Sequence, residues 1–323
     1  MLFLTKLYLE NFCNYENHTF DFKKPDGDPY QYICFFGPNG CGKTTLLEAI
    51  SLLTMNQIGR NPEYVKRSLR KYVRNKDYDP AYERVSGHVY HNDFAVEERD
   101  NLAGMIIEGT YEMDGQSYIV RLTQNGFDRN DLASEGNNPG PWGDNHLLYR
   151  QRVAHMITSD SDLSMSKFQL HKDQIEKFEK VTSTVMRYPT ECIPPSGIVP
   201  IDLNYSTDFI IHKNNHKIHY KRMSAGEKKI SKTFSQLFNL IHELEHPDPG
   251  EPEMKGWPRL LLIDNIEMHV YYDRHTEMVK CMKSNFPAQQ IFTTTHSGVL
   301  IQRFLDGHID PTELMIDLEK INF

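Results

Sequence analysis

The sequence predicts an α/β fold of two lobes, and three observations predict it. The apolar run YICFF (32–36) leads without a break into the glycine-rich GPNGCGKTT and then into a stretch of helical periodicity. Two later apolar runs end in a polar residue, LLLID (260–264) and QIFTTTH (290–296). Between the glycine-rich loop and these two runs lie alternating stretches joined by turn residues, which read as antiparallel hairpins. The expected architecture is a mixed sheet with helices, carrying antiparallel β-hairpins and a helical lobe.

The elements follow in order. Residues 2–9 read as a strand because apolar and polar residues alternate in MLFLTKLYLENF, and HTFDF (18–22) reads as a second before the polar turn KKPDGDP. After the glycine-rich loop, Leu46, Leu47, Ile50 and Leu53 recur at helical spacing. YVKRSLRKYVRNK (64–76) has six basic residues and no acid, with Val65, Leu69, Tyr72 and Val73 on one face, and reads as a basic amphipathic helix. The clearest hairpin is MIIEGTYEMDGQSYIVRLTQ (105–124), with Asp-Gly at its turn. A loop rich in Gly, Asn and Asp is expected over 127–147, a helix over 163–187 and a break at PPSGIVP (194–200). DFIIHKNNHKIHYK (208–221) reads as a second hairpin. From Glu227 the chain is helical again, with Ile230, Phe234, Leu237, Phe238, Ile241 and Leu244 on one face, and HPDPGEPEMKGWP (246–258) is a linker. Residues 1–126 and 208–323 are expected to form a nucleotide-binding core, and 127–207 an inserted loop and helical region.

Composition excludes several classes. The 323 residues are 25% charged and 39% hydrophobic, ordinary for a globular protein with ample core. A net charge of −8 is not that of a nucleic-acid polycation, so any DNA contact must come from a local patch. Five scattered cysteines without a CxxC pair suggest neither a disulfide framework nor a zinc site. With no signal peptide and no segment of ~20 apolar residues, the expected setting is the cytoplasm, with no membrane partner.

Three motifs carry chemistry. Gly37, Pro38, Asn39, Gly40, Cys41, Gly42, Lys43, Thr44 and Thr45 fit GxxxxGK[ST] between a buried strand and a helix. The glycines let backbone N–H groups converge on phosphate, Lys43 reaches the terminal phosphates, and the Thr44 hydroxyl holds magnesium. Leu260–Asp264 supplies the second half of that site, with Asp264 reaching the magnesium directly or through water. In MSAGEKK (223–229), Ser224 and Gly226 at a helix start make a further small anion site; taken alone, Ser224 and Glu227 are simply a capping box.

Together these motifs resemble the ATP-binding cassette ATPases, and within them the soluble heads of the RecF, SMC, Rad50 and OLD kind. The resemblance rests on KLYLENF, FFGPNGCGKTTLLEAI, MSAGEKK, LLLIDNIEMHV and TTTHS, in that family's order and across nearly the whole chain. Cys13, in LENFCNY, departs from the basic residue many of these heads carry. The resemblance implies a two-lobed P-loop NTPase and an ATP-dependent head-to-tail homodimer or a higher homo-oligomer. ATP with Mg2+ is then sandwiched between Lys43 of one subunit and Ser224, Gly226 and Glu227 of the other. It also implies that His296 is the switch residue sensing the γ-phosphate. The family's glutamine loop falls near Gln151 or Gln169, with no choice made between them.

Where the family has a glutamate to polarise water, this chain has Asn265. Asparagine accepts no proton at neutral pH, though it orients water by hydrogen bonding. Three readings follow: Asn265 is native and hydrolysis slow, Glu267 or a partner supplies the base, or the chain has been altered to trap the ATP state. If the strand continues, residues 265 and 267 face the same way; a turning backbone parts them. The expectation is weak hydrolysis with nucleotide binding as the main event. No long coiled-coil arm is expected between Lys43 and Ser224, and no fused nuclease is expected after His296. The resemblance is therefore to ATPase subunits of prokaryotic anti-phage systems, the AriA and PtuA kinds, which act on a separate effector, a nuclease. The alternative is a RecF-like DNA-binding ATPase in repair, contacting DNA through Lys66, Arg67, Arg70, Lys71 and Arg74.

Overall fold

The computed structural model describes residues 3–54, 104–113, 115–123, 126–128, 154–157, 168–170, 172–193, 205–245, 260–308 and 310–321. The basic segment 64–76, most of the loop 127–147, the break at 194–200 and the linker 246–258 lie outside them.

The chain begins with β1 (Phe3–Phe12) and β2 (Tyr15–Asp21), followed by β3 (Tyr32–Phe36) and α1 (Lys43–Thr54). Next come β4 (Ile106–Met113), β5 (Gln116–Thr123) and β6 (Gly126–Asp128). Five of these strands form an antiparallel sheet in the order β2-β1-β4-β5-β6. β1 buries Leu4, Leu7, Leu9 and Phe12, and a register shift against β4 between Leu4 and Lys6 brings Thr5 inside as well. β1 runs on to Phe12 and β2 starts at Tyr15, so the two strands are longer than alternation alone predicts. β6 pairs with β5 and takes residues 127 and 128 out of the expected loop.

The rest of the chain gives β7 (Ala154–Ile157), β8 (Phe168–Leu170), α2 (Ile175–Met186), β9 (Thr190–Ile193), β10 (Tyr205–Lys213) and β11 (His216–His219). It closes with α3 (Ala225–Glu245), β12 (Leu260–Ile263), α4 (His275–Asn285), β13 (Gln290–Thr295), α5 (Gly298–Leu305) and β14 (Glu313–Asp317). A wholly parallel sheet has the order β14-β3-β13-β12-β7. All five residues of β3 and all four of β12 are buried, because both faces of a parallel sheet are covered. α1 packs between the two sheets, burying Leu46, Leu47, Ala49, Ile50 and Leu53.

A smaller antiparallel group, with β8, β9 and β11 all pairing to β10, joins α2 and α3 as the second lobe. The β10–β11 turn is Asn214–Asn215, each with positive φ (51° and 62°), as a two-residue hairpin requires. The helix expected over 163–187 begins only at Ile175. Residues 168–170 are a strand instead, because Leu170 pairs with Tyr205 of β10, and tertiary pairing outweighs local helical periodicity. β7 lies inside the stretch expected as an insertion and yet forms the edge of the parallel sheet beside β12. Among the described residues no helix is long and apolar enough to cross a membrane.

The two large sheets are joined by one buried amide. Gln290, 1% exposed, accepts the N–H of Leu4 at 2.9 Å and donates to the carbonyls of Leu4 (2.9 Å) and Tyr30 (3.1 Å). Gln290→Leu orphans three backbone groups at once and is expected to lower unfolding free energy by on the order of 3 kcal/mol. A urea midpoint equal to that of the unchanged protein would rule this out.

Candidate functional site

The glycine-rich loop spans 37–42 between β3 and α1. Gly42 has φ +85°, and a Cβ there would lie 2.6 Å from the Tyr15 hydroxyl oxygen. That hydroxyl donates to the Gly42 carbonyl at 3.2 Å. Burial, with Cys41 and Cys13 alongside, pushes its pKa well above the usual tyrosine value, so it stays a donor. The Asn14 amide donates to the Gly40 carbonyl at 3.1 Å. The turn between β1 and β2 thus braces the loop from outside. From inside, the Lys43 ammonium donates to the carbonyls of Gly37 (3.0 Å) and Pro38 (2.8 Å), and the residue is 6% exposed.

At the end of β12, Asp264 is 5% exposed. The Thr44 hydroxyl lies 3.1 Å from each of its carboxylate oxygens, and the Thr294 hydroxyl of β13 donates to one of them. The next residue, Asn265, has φ +47°, a conformation asparagine tolerates far better than most residues. Its N–H donates to the Thr294 hydroxyl at 2.8 Å. The strand therefore does not continue to residue 267, and the backbone turn parts the two side chains. Asn265 lines a cavity with the loop, whereas the Glu267 carboxylate turns to β13. One Glu267 oxygen accepts the backbone N–H of His296 at 2.6 Å, the other the Thr295 hydroxyl at 2.7 Å.

That cavity, of about 390 Å³, is lined by Asn39, Gly40, Gly42, Lys43, Thr44, Thr45, Asn265 and His296, with Cys13 and Asn14 at its side. Ser224, Gly226 and Glu227 are not part of it. They line a second cavity of about 340 Å³ with Lys213, His269 and Arg274. Ser224 and Glu227 form the capping box of α3: the serine N–H and hydroxyl donate to one Glu227 oxygen (2.8 and 2.9 Å), and the Glu227 N–H donates back to the hydroxyl at 3.3 Å. A Cβ on Gly226 would fall 2.4 Å from the His269 carbonyl oxygen. The glycine is what lets α3 start against the turn that follows Asp264.

The donor set suits a magnesium nucleotide. A helix N-terminus with a glycine-rich loop and an ammonium favours phosphate oxygens, and a hydroxyl converging with a carboxylate suits a hard divalent ion. Among the described residues no group of three or more His, Cys, Asp or Glu could hold a metal, so an ion at Thr44 and Asp264 would draw its remaining ligands from phosphate and water. The sequence had not singled out Asn14, Tyr15, Thr294 or Thr295. The threonine run of β13 was the one available signal, since hydroxyls in a fully buried strand need partners.

A glycine-rich loop that opens a helix, with its lysine folded back on it and a strand-end aspartate beside its threonine, is the layout of a P-loop nucleotide site. This chain is an α/β P-loop ATPase head of the RecF and SMC kind. It belongs to the AAA_23 family, described as an AAA domain, whose model matches residues 6–245. It is 24% identical over 290 residues to the Septu protein PtuA of Bacillus thuringiensis, covering 84% of this chain and 66% of that protein. The Septu protein PtuA of Bacillus mycoides is 19% identical over 312 residues, covering 95% of this chain and 40% of its own length. The chain thus spans two thirds or less of the curated relatives it matches along most of its length. The DNA replication and repair protein RecF of Natranaerobius thermophilus is 49% identical over 57 residues, 18% of this chain and 13% of that protein. Among solved structures, the Smc head domain of Pyrococcus furiosus with an extended coiled coil, bound to the C-terminal domain of ScpA, superposes with a TM-score of 0.53. The identity is 11%, over 94% of this chain and 92% of that one.

Gly226→Ala is expected to destabilise the nucleotide-free protein by on the order of 2 kcal/mol, since the atom it meets is backbone and can move only with the whole turn. A thermal unfolding curve unchanged from the parent would mean that this glycine matters only for a ligand.

Proposed function

We propose that this chain is an ATP- and Mg2+-binding switch that dimerises head-to-tail and controls a separate effector, a nuclease, in prokaryotic anti-phage defence. The observation that carries the reading is the separation of two half-sites. Lys43 and Thr44 line one cavity, with Asp264 hydrogen-bonded to Thr44, and the Ser224–Glu227 helix start lines another. A second copy turned head-to-tail would bring each to the other. The likeness to PtuA along most of the chain supports the defence setting.

In this reading ATP supplies the γ-phosphate whose presence or loss is the signal. The loop N–H groups and Lys43 bind the phosphates, exchanging the carbonyls of Gly37 and Pro38 for phosphate oxygens. Thr44 and Asp264 hold the magnesium. Asn265 orients water at the cavity without taking a proton, and His296 contacts the terminal phosphate. Hydrolysis is slow, because loss of a general base costs ~10²–10⁴-fold. The RecF likeness, confined to a short stretch, favours DNA maintenance as the second reading, with DNA bound by the basic segment 66–74.

Steady-state phosphate release and light scattering with Mg-ATP test this together. Lys43→Ala is expected to abolish both turnover and ATP-driven dimerisation. Asn265→Glu is expected to raise turnover by ~10²-fold while destabilising the fold by about 1 kcal/mol, because glutamate lacks asparagine's tolerance of the left-handed conformation. A protein that stays monomeric at saturating Mg-ATP would sink the switch reading. Turnover unchanged in Asn265→Glu would show that residue 265 is no brake.

A further inference from the structure

We propose that Glu267 is the positioning residue for His296, fixing where that imidazole stands at the phosphate-loop cavity and so how well the site tells a nucleoside triphosphate from a diphosphate. This rests on reading that cavity as the Mg-nucleotide site.

A general base needs a carboxylate oxygen free to face the cavity, and Glu267 does not line it. Its two oxygens are taken by the His296 N–H at 2.6 Å and the Thr295 hydroxyl at 2.7 Å, both charge-assisted bonds. The Thr295 oxygen in turn accepts the N–H of Ser297 at 3.0 Å, and the Ser297 hydroxyl caps α5 by accepting from Leu300 at 3.3 Å. His296 is thereby held on either side, an exposed residue between the buried Thr295 and Ser297.

A second tie runs parallel to the first. The His275 Nε2–H donates to the Val270 carbonyl at 2.9 Å, which leaves Nδ1 to accept the Ser297 hydroxyl at 2.7 Å. The turn after β12 and the turn after β13 are therefore fastened at two points, Glu267 and His275. Asn265 and His296 come from different strands but face one cavity. Glu267 is the link between them that acts directly on the backbone of His296. Removing it leaves the contacts within the phosphate loop in place and frees the His296 N–H together with the Thr295 hydroxyl.

The test is equilibrium binding of Mg-ATPγS and Mg-ADP to the full chain, measured with phosphate release, for the parent protein, Glu267→Gln, Glu267→Ala and Thr295→Val. The parent should prefer the triphosphate. Glu267→Ala should reduce that preference on the order of tenfold with little change in ADP affinity. Glu267→Gln should restore it, because the amide oxygen still accepts the His296 N–H. Thr295→Val combined with Glu267→Ala should add nothing to Glu267→Ala alone, as for two members of one link. Should Glu267→Ala fail to fold, Thr295→Val carries the comparison, with a smaller loss in the same direction. Hydrogen exchange at the His296 amide without nucleotide should quicken in Glu267→Ala and not in Glu267→Gln. An unchanged triphosphate preference in Glu267→Ala would overturn the proposal while leaving the site reading intact. So would a Glu267→Gln protein whose preference falls as far as that of Glu267→Ala, since the amide oxygen keeps the bond to the His296 N–H. A parent protein that binds neither nucleotide would overturn the site reading and the proposal with it.

Discussion

Asp264 brings a carboxylate to the C-terminal edge of the parallel sheet with only 5% of the residue exposed. A carboxylate so buried is tolerable only when hydrogen-bonded. Its partners come from the start of α1, through Thr44, and from β13, through Thr294. The helix that follows the glycine-rich loop and the two neighbouring strands are thus pinned to one point. Thr294 also takes the N–H of Asn265, so the bond that satisfies the carboxylate helps hold the turn beyond it. Much of the site geometry follows from keeping that one group paired.

The sheets determine what can reach that point. Gln290 fastens the antiparallel sheet to β13, and α1 fills the space between the two sheets. The turn between β1 and β2 comes to lie over the loop, where Tyr15 and Asn14 hold the carbonyls of Gly42 and Gly40. The antiparallel sheet is therefore part of the site and not an appendage. The lobe of α2 and α3 meets the same region from the other side, where Gly226 rests against the His269 carbonyl. Movement of the turn at 264–270 would consequently be felt at the start of α3, although the two cavities are separate.

The substitution at residue 265 looks different once the backbone is known. In a left-handed conformation asparagine is among the residues best suited, and Glu267 is already committed to the neighbouring strand. The local structure is consistent with asparagine as the resident side chain. A site built this way holds its polar groups in place before any ligand arrives.

Motif order and periodicity made the glycine-rich loop, the strand ending at Asp264, the two hairpins and the helix beginning near Glu227 legible in the sequence. These depend on local rules: a buried strand into a glycine turn, Asp-Gly or Asn-Asn at a hairpin, an N-cap before an apolar stripe. The sequence could not show that 168–170 is a strand, since its partner at 205–207 is far along the chain and pairing alone decides it. Nor could it show that Glu267 turns away from Asn265, because a single residue of positive φ reverses the direction a continuing strand would give. Residue chemistry along the chain therefore determined which groups are available for phosphate and metal. Only the tertiary structure decided which of them share a cavity, because long-range pairing and the need to satisfy buried polar groups set their directions.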